Sequence, residues 1–153
     1  MSYIIKKIKS FKKQLHYGSV GIVLYYGKLV LLVHPTGSDY NDWSYPKGKV
    51  KPGEKMKETT IREFHEEIGV ELPNNFLDGK NIFELDPIKK NKGIKHYWYF
   101  KHNLTHDEFK KYFNMEFVIP QDNLQIEEID EARFVDIKIA KKLISPKFLP
   151  AIL

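Results

Sequence analysis

Short apolar runs punctuated by glycine and proline alternate along the chain with stretches whose apolar residues recur at helical spacing. Val20–Tyr26 and Lys28–His34 are short, apolar and rich in β-branched residues, which predicts two buried strands. The Tyr26-Gly27-Lys28 turn between them predicts a hairpin. Pro35, Gly37, Asp39, Asn41 and Asp42 mark a loop leading into Trp43-Ser44-Tyr45-Pro46-Lys47-Gly48. Residues 55–68 lack glycine and proline and are followed by Gly69, the pattern of a helix with a glycine stop. Residues 81–88 and 94–104 predict further strands, the second carrying His96-Tyr97-Trp98-Tyr99-Phe100. Thr105 and Glu108 have capping-box spacing, which predicts a helix running to about Phe113. A strand over 132–137 follows, then a helix capped by Asp136 over 137–144 and stopped by Pro146.

This order of elements, with no internal repeat and no linker, predicts one domain over residues 16–153 in the α/β (α+β) class, built as a sandwich. Residues 1–15 stand apart. Ile4, Ile8, Phe11 and Leu15 recur at helical spacing with lysines between them, which predicts a basic amphipathic extension, either docked on the core or meeting a membrane surface or polyanion.

Composition narrows the chemistry. With no cysteine among 153 residues, a disulfide framework, a zinc–thiolate site and a cysteine nucleophile are all excluded, and any metal site must use oxygen or imidazole. No apolar run approaches the roughly 18–20 residues of a membrane helix. The lysine-rich start lacks the apolar stretch and cleavage site of a secretory signal, so the expected location is cytoplasmic. The net charge of +5 comes from five lysines before residue 14, which leaves 20 basic and 20 acidic residues in the remainder. Lysine outnumbers arginine 23 to 2, against the arginine preference of planar phosphate and base recognition, so RNA is a less favoured partner than a small molecule.

The helix over 55–68 holds the most informative pattern. At roughly 100° per residue, with Glu63 at zero, Glu67 lies near +40° and Glu66 near −60°, while Ile61, Phe64 and Ile68 gather near 100–160°. One face packs and another carries three carboxylates. Such a face is either solvated, with Arg62 pairing at i,i+4 spacing to Glu58 and Glu66, or a site for an oxygen-preferring cation such as Mg2+ or Mn2+.

The stretch Gly48–Val70 resembles the Nudix box, G-x5-E-x7-R-E-U-x-E-E-x-G-U, where U is a bulky apolar residue. Gly48, Glu54, Arg62, Glu63, Glu66, Glu67 and Gly69 occupy its fixed positions, and Phe64 and Val70 its apolar slots, with Phe64 the least typical. The resemblance implies an α/β/α sandwich with a mixed central sheet and hydrolysis of a pyrophosphate linkage in a nucleoside diphosphate derivative. It implies that Glu63, Glu66, Glu67 and the Gly48 carbonyl hold Mg2+ or Mn2+, which activates water for attack on phosphorus. It further implies that Arg62 orients the site while paired with Glu54. The general base is open between a box glutamate, Glu66 or Glu67, and a glutamate of a later loop, for which Glu128 has the position.

Substrate choice lies outside the box. Trp43-Ser44-Tyr45-Pro46-Lys47-Gly48 resembles the W-x-x-P-K-G entry of the diadenosine tetraphosphate hydrolase branch, which implies a phosphate contact for Lys47; the alternative is an exposed turn lysine. Tyr97 and Tyr99 would share one strand face, opposite Trp98, either stacking on a nucleobase or packing in the core. The six histidines show no ligand spacing. Dinucleoside polyphosphate hydrolysis is therefore the first expectation. A nucleoside triphosphate or RNA 5′-end pyrophosphohydrolase comes next, and a non-catalytic nucleotide-sensing module is the alternative of another class.

Overall fold

The structure, a computed structural model, describes residues 15–153; the basic extension expected at the N-terminus falls, except for Leu15, outside the described residues. Seven strands form one sheet: β1 (His16–Tyr26), β2 (Leu29–Pro35), β3 (Lys47–Lys49), β4 (Ile82–Glu84), β5 (Ile88–Lys90), β6 (Gly93–Asn103) and β7 (Ile129–Asp136). Its path runs β4-β6-β1-β2-β7, with β3 paired to β1 and β5 to β6. β1 and β6 pair in parallel along nearly their whole length, from His16 opposite Ile94 to Tyr25 opposite Asn103. The other strand pairs are antiparallel, so the sheet is mixed.

Side chains alternate across this sheet, as a pleated strand buried on both faces requires. Val20, Ile22 and Leu24 of β1, Leu31 and Val33 of β2, and Ala132 and Phe134 of β7 pack on one face. Phe64 and Ile68 of α1 (Met56–Ile68) and Phe109 and Phe113 of α2 (His106–Phe113) cover that face. On the other face Val23, Val30, Leu32, Tyr97 and Tyr99 pack against α3 (Ile137–Leu143) and α4 (Leu149–Ile152). The architecture is an α/β/α sandwich. No helix among the described residues is long and apolar enough to cross a membrane.

Local chemistry sets the element ends. Gly69 closes α1 in the left-handed region at φ 69°, donating its N–H to the His65 carbonyl. Thr105 and Glu108 form the reciprocal capping box of α2, and Asp136 caps α3 by accepting from the Lys138 N–H. The single strand expected over 81–88 is instead two short ones, β4 and β5, both antiparallel to β6. Between them lies Asp86-Pro87, where proline has no N–H for a ladder.

The hairpin holds only at its tip, where Tyr25 pairs with Val30 and Tyr26 with Leu29. Further along, β1 and β2 part and the segment 43–49 fills the gap. Ser44 exchanges two backbone hydrogen bonds with Val33, at 2.8 and 2.9 Å, and Ile22 donates to the Pro46 carbonyl at 3.1 Å. Val20 and Gly21 then face Gly48 and Lys47. This insertion brings Lys47 and Gly48 under the acidic face of α1.

Candidate active site

Arg62 is the hub of the helix face. Its Nε and Nη2 donate to the two oxygens of Glu54 at 2.8 and 2.9 Å, a bidentate fork across the loop that precedes α1. Nη1 donates to Glu63 Oε1 at 2.9 Å and to Glu66 Oε2 at 3.1 Å, and Nη2 reaches the Lys49 carbonyl at 3.4 Å. One guanidinium thus engages three carboxylates and β3. The Arg62 and Thr59 hydrogen bonds hold the Glu54 carboxyl down to about 2, and the same carboxylates raise the Arg62 guanidinium above its ordinary value. Thr59 donates to Glu54 Oε1 at 2.6 Å, a support that sequence reasoning missed and that a threonine one turn into a helix only faintly signals.

The three helix glutamates sit in different surroundings. Glu66 is exposed, Glu63 is half-buried and Glu67 is only 4 % exposed. The helical wheel grouped them on one face; the packing of β3 and the 125–128 loop separates them. Gln125 donates its N–H to the Glu67 carbonyl at 3.0 Å, which draws that loop over the end of α1. Burial pushes the Glu67 carboxyl well above the usual carboxylate range, opposed by the Lys47 ammonium and backbone amide and reinforced by Glu63 and Glu128. Burial likewise lowers the Lys47 ammonium, and Glu67 is the strongest influence holding its charge. Glu63 is raised by burial and by the charges of Glu66 and Glu128, against the bonds from Arg62.

Gly48 is where the sheet meets this cluster. A Cβ at that position would overlap the Glu63 carboxylate and its Cγ, so only glycine lets β3 and α1 approach this closely. Glu128 is exposed on its loop but near enough for its charge to act on both Glu63 and Glu67. The structure therefore brings together Lys47, Gly48, Glu54, Arg62, Glu63, Glu66, Glu67 and Glu128. It places Tyr97 and Tyr99 elsewhere, on the opposite face of the sheet, 4 % and 7 % exposed. Tyr97 meets Phe148 edge-on at 5.0 Å, and Tyr99 stacks on Phe83 at 5.5 Å. Their rings do the packing job that the sequence left open beside base stacking.

No three His, Asp or Glu side chains among the described residues converge into a ready-made metal cage. Glu63 and Glu66 are turned to Arg62, and Glu67 faces Lys47. The donor set nevertheless fits a hard divalent cation. It is all oxygen, and its mutually repelling carboxylates outnumber the cations that face them. A cleft of about 920 Å³ on another flank of α1, lined by Lys55, Glu58, Asp78, Lys80 and Ile82, shares only Arg62 with the cluster.

A family model described as the NUDIX domain matches residues 15–151. The chain belongs to the Nudix family, hydrolases that act on acid anhydrides by cleaving pyrophosphate linkages in nucleoside diphosphate derivatives and that generally use Mg2+ or Mn2+. Solved structures of the same fold include a MutT protein from Methanosarcina mazei, at TM-score 0.63 and 19% identity, covering 92% of both chains. A Nudix hydrolase from Nitrosomonas europaea has TM-score 0.63 and 18% identity, over 90% of this chain and 86% of that one. An Ap4A hydrolase binary complex from C. elegans has TM-score 0.59 and 20% identity, over 89% of this chain and 92% of that one. No curated protein matches the sequence significantly.

Proposed function

We propose that the chain hydrolyses a nucleoside polyphosphate in a Mg2+-dependent reaction, with a dinucleoside polyphosphate such as diadenosine tetraphosphate as the preferred substrate. The observation that carries this reading is the placement of Lys47, a cation suited to a phosphate oxygen, beside the carboxylate cluster, where its charge and backbone N–H act on Glu67. The fold shared with an Ap4A hydrolase supports the choice of first substrate.

Glu63, Glu66 and Glu67, with the Gly48 carbonyl, would hold the divalent ion. When bound, such an ion neutralises phosphate oxygens and lowers the pKa of a coordinated water. The protein's own groups do the rest. Arg62 holds Glu63 and Glu66 in fixed orientation, and Glu54 and Thr59 hold Arg62. Lys47 offers a point charge to the oxygen on which negative charge develops. Glu128, exposed at the rim of the cluster, accepts the proton of the attacking water, as a carboxylate in contact with solvent can.

Product analysis over a panel of dinucleoside polyphosphates, nucleoside triphosphates, ADP-ribose and 5′-triphosphorylated RNA, with Mg2+ or Mn2+, tests the reading. Diadenosine tetraphosphate should be cleaved with the highest kcat/KM. Activity should vanish in chelator, return with Mg2+, and fall by two or more orders of magnitude in Glu67→Gln. Preference for RNA, or binding without turnover, would overturn it.

A further inference from the structure

We infer that Lys95 and Lys147 join Lys47 in a second anion subsite, one that binds a phosphate of the substrate beyond those held at the carboxylate cluster. The inference rests on the proposed function and names the phosphate chain length the site selects.

Three elements far apart in sequence deliver these lysines. Lys47 opens β3, Lys95 lies on β6, and Lys147 sits in a 3-10 turn (Pro146–Phe148) after α3. The turn is fastened to the inserted segment by two backbone hydrogen bonds, Trp43 N–H to the Leu143 carbonyl at 3.1 Å and Ser145 N–H to the Trp43 carbonyl at 2.8 Å. The ammonium groups gather over one aromatic pair. Lys47 Nζ lies 4.9 Å from the Phe148 centroid, Lys147 Nζ 5.0 Å from Phe148 and 5.7 Å from Tyr97, and Lys95 Nζ 4.9 Å from Tyr97.

Ring contacts alone are a poor reason to collect three cations. Each cation–π contact is a modest attraction, while the positive charges of Lys95 and Lys147 repel that of Lys47. Among the described residues, none of the three forms an ion pair within 4.0 Å; the acids whose charge acts on Lys47 are Glu67 and, on the loop before β3, Asp42. The charge also has direction. Lys47, whose charge acts on Glu67, and Lys95 are both half-buried and Lys147 is exposed, so a cationic shelf runs from the cluster to solvent. An extended polyphosphate fits that gradient, since its additional phosphates follow the shelf outward. A nucleoside diphosphate joined to an uncharged group has no further charge to place there.

Two measurements on the full chain test this. In calorimetry without metal, inorganic tripolyphosphate should bind the wild type and bind Lys95→Gln/Lys147→Gln about tenfold more weakly. Lys147→Arg keeps the cation and should keep the binding, while Lys141→Gln, on exposed α3 surface, should change nothing. In steady-state kinetics with Mg2+, the double variant should raise KM about tenfold for diadenosine tetraphosphate and ATP, keep kcat within about twofold, and raise KM for ADP-ribose far less. No tripolyphosphate binding to the wild type, equal binding by the double variant, or an equal KM rise for all substrates would overturn the subsite. If the wild type binds tripolyphosphate and loses it on substitution but cleaves no nucleotide, the subsite stands and the proposed activity fails.

Discussion

His34 presents both ring nitrogens to acceptors: Nδ1 lies 2.7 Å from Asp130 Oδ1, and Nε2 lies 2.9 Å from the Asp39 carbonyl. A neutral imidazole has a single N–H, so only the imidazolium donates to both. Burial opposes that charge. The Asp39 carbonyl, the Asp130 carboxylate and the charge of Glu131 outweigh it and raise the pKa above its ordinary 6.5. The Tyr40 and Trp43 rings also flank the imidazole. This clamp joins the end of β2 to the start of β7. Beside it, Thr36 donates its N–H to the Glu128 carbonyl at 2.9 Å and its hydroxyl to the Ile126 carbonyl at 2.6 Å.

The clamp should make stability depend on pH. Because the folded pKa is raised, its contribution is fully present below the unfolded value near 6.5 and is lost as pH rises through the folded value. Urea unfolding of the wild type and Asp130→Asn should therefore show a wide gap near pH ~6 that narrows near pH ~9. A gap independent of pH would mean that His34 is neutral in the fold.

Arg62→Lys keeps the charge and loses the fork. Lysine cannot donate to both oxygens of Glu54 and still reach Glu63 and Glu66, so the helix carboxylates lose their common anchor. The expected result is a fall in kcat/KM of about 10–100-fold with secondary structure intact, read by kinetics beside circular dichroism.

Gly48→Ala forces Glu63 out of its place. The half-saturating Mg2+ concentration for turnover should rise about tenfold or more. Metal titration of the activity checks this, and an unchanged midpoint would show that β3 or Glu63 shifts at no cost.

Glu128→Gln removes the proposed proton acceptor and keeps the loop's backbone ties to Gln125 and Thr36. Expected is a loss of about 10²–10⁴ in kcat with little change in KM, measured at saturating Mg2+. Wild-type turnover in this variant would assign the base to the box itself.

Phe109 is fully buried and contacts Tyr26, Phe113, Phe117 and Phe134. Phe109→Ala should cost about 3–5 kcal/mol of stability, because the rings around the deleted side chain cannot all collapse into the void. Equilibrium urea unfolding gives the value.

Patterns local in sequence were legible without coordinates. Residues 55–68 read as a helix because they lack breakers and end in Gly69, and Thr105 with Glu108 marked the start of α2 because a capping box is complete within four residues. The Arg62–Glu54 pairing was implied by the resemblance to the Nudix box, and the coordinates supply its bidentate geometry. The Tyr97/Trp98/Tyr99 alternation assigned the two sheet faces, but burial under α4 and Phe148 depended on what the chain places above the strand.

Tertiary structure decided the rest, because charges act through space while a sequence orders them along a line. Nothing in the spacing of Lys47, Lys95 and Lys147 announces that β3, β6 and a C-terminal turn bring them over the same two rings. His34 and Asp130 are 96 positions apart and meet only because β2 and β7 are antiparallel neighbours. Even the three glutamates, alike on a helical wheel, became an exposed, a half-buried and a buried carboxylate once a strand and a loop closed over one side of their helix. By itself the sequence determined which groups the site contains; the packing of the sheet determined the dielectric and the neighbours each of them meets.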